Sequence, residues 1–453
     1  MMLYRSEKEQ NMGLLQAMVK TYRAERLSRG ELEQLQQRRL NALVRYAKEN
    51  SQYYRELFAK VGEEFRLEDL PATSKPEMMA NFDRVLTDSA ITMRRIEEYT
   101  KDPDHIGRMI DGKYLVFKTS GSTGNPAVVL YDKPSIAVSS AVAALRTFAR
   151  HEDFKAFMRH GKKTAGVFAD HGFYLACGMS RYLQLKMPGR QTKITVDVNA
   201  PEAQIIEELN AFAPAMLSGY PSNLALLADA EELRIHPDVV ITGGELLTDA
   251  VRGKLKNKFS CTVQTHYSCT EAGEIACECR EGHLHINEDW VIVEPVDKDM
   301  NPMGETDKWS AGLLITDLSN YVQPIIRYFV SDVVRINRKP VDDCNLPCLE
   351  IRGRMLDNYT ICGKTFSVAG LVTESEVWPH LIKYQFVQTD DETIQLRGLC
   401  SANSNPEEVL GGLSKHIKQF LAQHGCPDAK VEWSPEPFIP NKRGGKIPMY
   451  VKL

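Results

Sequence analysis

The middle of the chain alternates between short apolar runs and amphipathic segments, and this alternation restricts the fold more than any other feature of the sequence. Apolar or alternating runs occur at 166–169, 194–198, 216–218 and 239–242. Helix-like segments lie between them at 201–212, which begins with a proline, and at 222–230. Strands that alternate with helices predict a parallel α/β sheet.

The strand signal dominates from residue 275 to residue 337, which predicts an antiparallel or barrel-like section. After residue 354 the pattern is β/α on a smaller scale. At roughly 100–200 residues per domain, 453 residues suggest two or three domains. We expect an α/β protein. Residues 1–353 would form a large domain with parallel α/β sheets plus a β-barrel-like section, and residues 354–453 a small, mobile α+β domain.

Composition excludes several classes of protein. Apolar residues make up 43% of the chain and charged residues 26%, as in ordinary globular proteins. The net charge of −4 lacks the basic surplus typical of nucleic-acid binding. The charged N-terminus has no apolar signal region, and no run approaches the ~20 apolar residues of a membrane span. We therefore expect a cytoplasmic protein with neither nucleic acid nor membrane as a partner.

The segment 119–126 (TSGSTGNP) lies between the strand-like runs 114–119 and 127–131. Its glycines permit tight turns, so that successive N–H groups can face an anion while the hydroxyls add donors. It lacks the Gly-Lys-Ser/Thr of the common nucleotide loop, and no helix follows it. Two interpretations remain, a phosphate-binding loop and a flexible hairpin turn.

Four other segments carry polar residues in suggestive positions. In 267–273 (YSCTEAG), Thr270 and Glu271 offer oxygen ligands suited to Mg²⁺. A helix capped by Ser268 or Thr270 would account for the same residues. Segment 324–332 reads as a buried strand that ends in an acid, and 351–354 precedes the expected domain boundary. The basic, glycine-rich 440–447 fits either phosphate binding or a solvated surface.

In this order and spacing, the five segments resemble the adenylate-forming superfamily, which includes the acyl-CoA synthetases. Within it, the chain is most similar to the phenylacetate–CoA ligase group, with its coenzyme F390 synthetase-like and capsule-locus members. Segments 38–58, 219–222, 243–245 and 282–289 support that subgroup. The resemblance runs from about residue 30 to 450. It implies ATP-dependent conversion of a carboxylic acid to an acyl-adenylate with release of pyrophosphate, followed by transfer to coenzyme A.

The resemblance also implies residue roles. The phosphates of ATP would be held by Thr119, Ser120, Gly121, Ser122, Thr123 and Gly124. The adenine would be lined by Gly243, Gly244 and Glu245 and stacked on Tyr267. Thr270 and Glu271 would act by the phosphates and Mg²⁺, and Asp332, assisted by Arg354, would bind the ribose. Lys446 would reach the α-phosphate and the substrate carboxylate in the first half-reaction.

Family position makes His171, Gly172 and Tyr220 the candidates for the acid pocket. Aromatic residues in these segments favour an aryl or arylacetic acid, although a lone histidine is more often structural. After Arg354 the family commonly has an acid at the hinge, where this chain has Leu356; Asp357 is then the alternative hinge residue, or the domain movement is altered. An acceptor other than coenzyme A and a non-catalytic nucleotide-binding relative therefore stay open. A homodimer is a candidate assembly.

Four residues suit a structural zinc ion. Cys279 and His285 lie six positions apart, and Cys344 and Cys348 lie four apart. Three thiolates and an imidazole are a common closed, tetrahedral zinc shell, and related ligases carry a comparable pattern. Cys277 and His283 are alternative ligands, and unliganded thiols are the alternative explanation.

Overall fold

A computed structural model describes residues 12–119, 126–186, 192–304, 308–339, 341, 344–354, 358–367, 380–400, 404–440 and 447–453. Its α-helices, in chain order, are α1 Leu14–Ala24, α2 Arg29–Asn50, α3 Gln52–Leu57, α4 Lys75–Ala80, α5 Phe82–Val85, α6 Met93–Tyr99, α7 Lys133–Arg146, α8 His151–Arg159, α9 Leu175–Lys186, α10 Glu202–Phe212, α11 Pro221–Leu227, α12 Asp249–Phe259 and α13 Pro406–Gln423. Short 3₁₀ turns occupy Leu67–Asp69 and Pro103–His105.

The strands, in chain order, are β1 Leu115–Lys118, β2 Val128–Tyr131, β3 Thr164–Phe168, β4 Lys193–Asp197, β5 Met216–Gly219, β6 Val239–Gly243, β7 Thr262–Cys269, β8 Gly273–Glu278, β9 Leu284–Ile286, β10 Val291–Val296, β11 Gly312–Asp317, β12 Tyr328–Val330, β13 Asp332–Asn337, β14 Cys348–Arg354, β15 Asn358–Ile361, β16 Lys364–Ser367, β17 Leu381–Gln388, β18 Thr393–Cys400, β19 Lys430–Trp433 and β20 Tyr450–Lys452. None of the helices in the described part of the chain is long and apolar enough to span a bilayer.

A nine-stranded sheet in the order β13-β14-β9-β8-β7-β6-β5-β3-β4 forms the centre of the molecule. Strands β4, β3, β5, β6 and β7 pair in parallel. The intervening helices α10, α11 and α12 bury apolar residues against these strands, as the crossovers of a parallel sheet require. The alternation of apolar and amphipathic segments therefore predicted this half of the sheet correctly, and the α/β fold class is confirmed.

The predicted antiparallel section follows in the chain. Strands β8, β9, β14 and β13 extend the large sheet with antiparallel pairs, while β10, β11 and β12 form a separate three-stranded antiparallel sheet. The largest apolar core packs α2 and α3 against both groups of strands. Helix α2 begins with a reciprocal cap, in which the Ser28 side chain accepts from the Glu31 N–H while Glu31 accepts from the Ser28 N–H.

The last described residues build a smaller unit. Strands β19, β18, β17 and β20 form a four-stranded sheet, on which α13 packs through buried leucine and isoleucine side chains. This unit has an apolar core of its own, separate from those of the large sheet. That is the organisation expected for a C-terminal domain. The proposed boundary at 353/354 stays a prediction, and Leu356 and Asp357 lie outside the described residues.

Candidate active site

Gly243 and Tyr267, two of the candidate nucleotide residues, lie near the carboxyl ends of the parallel strands β6 and β7, where open α/β sheets usually bind ligands. Strand β6 ends at Gly243, and the chain turns at Gly244 with a φ of +76°, a backbone conformation that favours glycine. Glu245 follows, and its Oε2 accepts a hydrogen bond of 3.3 Å from the backbone N–H of Ser222, at the start of α11. Gly243, Gly244 and Glu245 therefore lie beside the loop that follows β5.

Thr119 closes the base of the hairpin between β1 and β2. Its backbone N–H donates to the Ala127 carbonyl at 2.9 Å, and its Oγ1 accepts from the Ala127 N–H at 2.8 Å. The strand–loop–strand arrangement predicted for 114–131 is confirmed. Ser120, Gly121, Ser122, Thr123 and Gly124 lie outside the described residues.

Thr270 and Glu271 lie in the turn that joins the antiparallel strands β7 and β8. The helix-cap interpretation of this segment is therefore wrong, because a strand, and not a helix, follows the turn. The Tyr131 hydroxyl donates to the Thr270 carbonyl at 3.1 Å, and the Tyr328 hydroxyl donates to Glu271 Oε1 at 3.0 Å. Through Tyr131, β2 of the hydroxyl-rich hairpin is joined directly to the turn that carries the candidate magnesium ligands.

Tyr267 and Asp332, which are 65 residues apart, meet in the structure. The Tyr267 hydroxyl donates to Asp332 Oδ2 at 2.7 Å, and both residues are buried. Asp332 stands opposite Arg354 in the register of β13 and β14. Asp332 is therefore joined to Tyr267 by a hydrogen bond and to Arg354 by strand pairing.

Glu245 also contacts the C-terminal unit, which sequence reasoning did not predict. Its Oε2 lies 3.0 Å from Lys383 Nζ on β17, and its Oε1 accepts a 3.2 Å hydrogen bond from the Ile447 N–H. Burial lowers the pKa of Lys383, against the opposing effect of Glu245. Lys446, which precedes Ile447, lies outside the described residues. A cross-domain ion pair between positions 138 residues apart leaves no local pattern in the sequence.

The three acid-pocket candidates differ in their surroundings. Tyr220 is buried with its ring edge-on to Phe168, the two centroids 5.2 Å apart, and burial raises the pKa of its phenol. Gly172 has a φ of +109°, and a Cβ added there would approach the Tyr174 ring to 2.8 Å. His171 is 63% exposed, and its Nδ1 lies 3.2 Å from Asp197 Oδ2. Tyr220 and Gly172 border aromatic side chains, whereas His171 is paired with an acid at the surface.

Part of the predicted zinc shell is assembled. His285 and Cys348 are register partners on β9 and β14, with 3.5 Å between His285 Nδ1 and Cys348 Sγ. Burial by itself lowers the pKa of His285, but hydrogen bonds with Cys344 and Cys348 raise it to about 12. Cys279 lies in the turn between β8 and β9, where its N–H donates to the His283 carbonyl at 2.9 Å. His285 therefore lies between two thiols from a neighbouring segment.

Comparison with known proteins identifies curated relatives along most of the chain, although no family model matches. The chain is 27% identical to a phenylacetate-coenzyme A ligase from Thermus thermophilus over 475 aligned positions, which cover 93% of this chain and 97% of that one. It is 24% identical to protein CapK from Staphylococcus aureus over 411 positions, covering 86% of this chain and 83% of CapK.

Solved structures of acyl-CoA ligases share the fold. The 2-hydroxyisobutyryl-CoA ligase in its postadenylation state, in complex with 2-HIB-AMP, has a TM-score of 0.66 at 17% identity, covering 95% of this chain and 91% of that chain. Such low identity shows the fold alone. The comparisons confirm the resemblance drawn from the five motifs: the chain has the fold of the adenylate-forming superfamily, and its sequence is similar to those of phenylacetate–coenzyme A ligases and CapK.

Proposed function

We propose that this protein converts a carboxylic acid and ATP to an acyl-adenylate and pyrophosphate, and then transfers the acyl group to the thiol of coenzyme A. The observation that carries the proposal is the Tyr131–Thr270 hydrogen bond. It joins β2, the strand that follows the hydroxyl-rich segment, to the turn that carries Thr270 and Glu271, which offer oxygen ligands for a cation. Curated relatives named phenylacetate-coenzyme A ligase support the same chemistry.

The first half-reaction brings two anions together, because a carboxylate oxygen attacks the α-phosphorus of ATP. Donors and cations aimed at the developing charge are the expected solution. Thr119 and the adjoining residues 120–124 would hold the β- and γ-phosphates, and Lys446 would contact the α-phosphate and the carboxylate. The P–O bond to pyrophosphate breaks as the new P–O bond to the acid forms. A thiol of coenzyme A then attacks the acyl carbon, and AMP leaves.

Tyr267 and Asp332 suit adenosine recognition. The Tyr267 ring would stack on the adenine while its hydroxyl holds Asp332 in place, so that the carboxylate can accept from the ribose hydroxyls, with Arg354 as its cross-strand neighbour. The edge-to-face pair of the buried Tyr220 and the half-buried Phe168 would give the acid pocket an aromatic wall, which favours an aryl or arylacetic acid.

Two metal ions would find suitable ligands among the residues of this chain. Thr270 and Glu271 offer a hydroxyl and a carboxylate, the hard oxygen ligands that Mg²⁺ prefers, and Tyr328 orients the Glu271 carboxylate. Bound there, Mg²⁺ would neutralise charge on the phosphates. His285, Cys344 and Cys348, with Cys279, would hold a structural zinc ion. Metal analysis of protein purified without chelator tests the zinc: we expect Cys348→Ala to lower the zinc content by one equivalent, and unchanged content would contradict this shell.

Pyrophosphate release screened over a panel of carboxylic acids, with and without coenzyme A, tests the function. We expect acid-dependent release with an aryl or arylacetic acid, and an acyl-CoA detectable by mass when coenzyme A is present. Acid-dependent release without any acyl-CoA would indicate another acceptor, such as an amine or a carrier protein. No acid-dependent release with any acid of the panel, from protein shown to bind ATP, would indicate a nucleotide-binding relative without this chemistry.

A further inference from the structure

A β-bulge in β8 turns three side chains of types that can bind metals, those of His266, Glu274 and Cys277, toward the same face of the large sheet. His266 on β7 stands directly opposite Cys277 on β8. The register then shifts, so that Tyr267 pairs with Ala276 but Ser268 pairs with Glu274, which makes Ile275 the extra residue of the bulge. Ile275 and Ala276 both pack in the largest apolar core. Without the bulge, strict alternation would place Glu274 and Cys277 on opposite faces.

The three ligand atoms of His266, Glu274 and Cys277 all lie within 4.8 Å of one another. Glu274 Oε2 is a buried atom without a hydrogen-bond partner among the described residues, and it lies 3.7 Å from His266 Nδ1. That separation is too long for a hydrogen bond. A tetrahedral ion with bonds of about 2.1 Å to nitrogen and oxygen would hold these two atoms about 3.4 Å apart. For this pair of atoms, binding an ion would therefore need a shift of only a few tenths of an ångström.

The surroundings of the three side chains suit a cation. Gln264 Nε2 lies 3.3 Å from His266 Nε2 and donates to the Thr147 carbonyl, to which the imidazole is also hydrogen-bonded. With its proton on Nε2, the imidazole would direct the Nδ1 lone pair toward Glu274. The amide of Asn287 lies 3.8 Å from Cys277 Sγ as a donor to the sulfur.

The charges near His266, Glu274 and Cys277 are compatible with a bound cation. The guanidinium of Arg146, which interacts electrostatically with Cys277, forms an ion pair of 2.8 Å with Asp289 and a second pair of 3.1 Å with Glu25. Two carboxylates thus already compensate Arg146. Glu274 also borders a cavity of about 20 Å³ beneath α7, which has room for one water molecule.

We propose that His266, Glu274 and Cys277 form a second metal site, which takes a divalent ion of intermediate softness such as Zn²⁺. Nitrogen, oxygen and sulfur ligands together suit such an ion better than Mg²⁺, which prefers oxygen alone. The ion would tie β7 to β8 immediately before the turn that carries Thr270 and Glu271. The site is distinct from the His285–Cys344–Cys348 group, although Cys277 and His285 are register partners on β8 and β9.

Cobalt binding to the full chain, freed of metal by chelation, tests this site. The number of ions per chain is read by native mass spectrometry and the thiolate-to-cobalt absorption by spectroscopy. We expect Glu274→Gln, which keeps the shape of the side chain, to weaken the binding of one cobalt ion at least tenfold. We expect Cys277→Ala to abolish the binding of that ion, together with its thiolate-to-cobalt absorption band. Cys261→Ala, at a half-buried thiol outside the group, should keep every ion.

Two results would overturn the proposal. Cobalt content and affinity that are the same in Glu274→Gln as in the unaltered protein would show that the carboxylate binds no ion. An ion lost in Cys277→Ala but kept at full affinity in Glu274→Gln would assign Cys277 to the neighbouring His285 group. Circular dichroism of each variant confirms folding, and Glu274→Gln decides the question if Cys277→Ala does not fold. The outcome does not depend on the proposed enzymatic activity.

Discussion

At the scale of single residues, the Tyr267–Asp332 hydrogen bond gives the most direct prediction. Removing the hydroxyl in Tyr267→Phe keeps the ring that would stack on adenine but frees the Asp332 carboxylate, which the 2.7 Å bond now holds. A hydrogen bond to a charged group is worth about 1.5–3 kcal/mol. We expect the KM for ATP to rise about tenfold while kcat for pyrophosphate release changes less than threefold.

Steady-state kinetics of Tyr267→Phe against ATP, at saturating acid, measure this effect. Tyr99→Phe, at a partly buried tyrosine whose hydroxyl donates to the Arg108 carbonyl away from the candidate site, is the matched control. An unchanged KM for ATP in Tyr267→Phe would show that Asp332 does not contact the ribose, or that the position of its carboxylate does not depend on the tyrosine.

The residues of the candidate site were predictable to very different degrees. Tyr267, Thr270 and Asp332 belong to contiguous motifs. The residue types and their spacing were therefore sufficient to identify them as candidate site residues. Lys383 and Tyr328 were not selected, because each acts through a partner distant in the sequence, Glu245 and Glu271 respectively. The roles of these residues in the site stay predictions. A motif indicates which residues contact a ligand only because it resembles the motif of a known family.

At the scale of elements, α7 is fixed to the loop before β12 by a single buried carboxylate. Asp132 caps α7 by accepting from the Ser135 N–H at 3.0 Å, and its Oδ2 accepts from the N–H groups of Tyr321 and Val322 at 2.9 and 3.0 Å. Asp132→Ala would leave three N–H groups without this acceptor. At about 1–3 kcal/mol for each buried group, we expect a loss of about 3 kcal/mol or more in the free energy of unfolding.

Urea denaturation of Asp132→Ala and Asp132→Asn, followed by circular dichroism, measures this loss. The asparagine variant retains one acceptor oxygen and should lose less than the alanine variant. Equal stability of the alanine variant and the unaltered protein would mean that water or a rearranged loop satisfies these donors.

The buried Asp317, at the end of β11, leads us to expect that stability depends on pH. Burial raises the pKa of Asp317 to about 7, although its carboxylate accepts from the Ser319 N–H at 2.8 Å. The unfolded carboxyl has a pKa of about 3.9, so between about pH 4 and 7 the folded state binds the extra proton. The contribution of this group to the free energy of unfolding therefore falls as pH rises through that window, by up to about 1.4 kcal/mol per unit.

Denaturation curves from pH 4.5 to 7.5 test this effect by comparing the unaltered protein with Asp317→Asn, whose amide does not titrate. We expect the variant to show the shallower fall in stability with rising pH. Parallel slopes in the two proteins would contradict a raised pKa at Asp317.

At the scale of the whole molecule, Lys383 and Glu245 link the C-terminal unit to the large sheet. Both side chains are largely buried, with 14% and 11% of their surface exposed. Removing one partner of a buried ion pair leaves the other charge uncompensated, which is costly. Lys383→Met should therefore disfavour this arrangement of the two units. We expect slower acid-dependent pyrophosphate exchange, and a rate of thioester formation from preformed acyl-adenylate that changes less than twofold.

Separate assays of the two half-reactions measure this prediction, with Lys430→Met, at an exposed lysine on β19, as the control. Equal slowing of both half-reactions in Lys383→Met would show a general loss of folding or binding, and not a change in the arrangement of the units.

The overall architecture was predictable because hydrophobic periodicity reports local structure directly. The alternation over 166–242 predicted the parallel strands β3, β4, β5 and β6, and the strand-rich stretch from residue 275 to 337 predicted the antiparallel section. Strand order, the bulge at Ile275 and the contact of Glu245 with two parts of the C-terminal unit were not predictable. They depend on pairings between distant segments, which no local pattern specifies.

The proposed attack of a carboxylate on the α-phosphorus of ATP can be tested by following the carboxylate oxygen. The acid that the panel identifies is labelled with oxygen-18 in both carboxylate oxygens and is turned over with ATP and coenzyme A. We expect AMP that carries one labelled oxygen, because the bridging oxygen of the acyl-adenylate stays on phosphorus when the thiol attacks the carbonyl. AMP without label, or ADP as the nucleotide product, would contradict acyl adenylation.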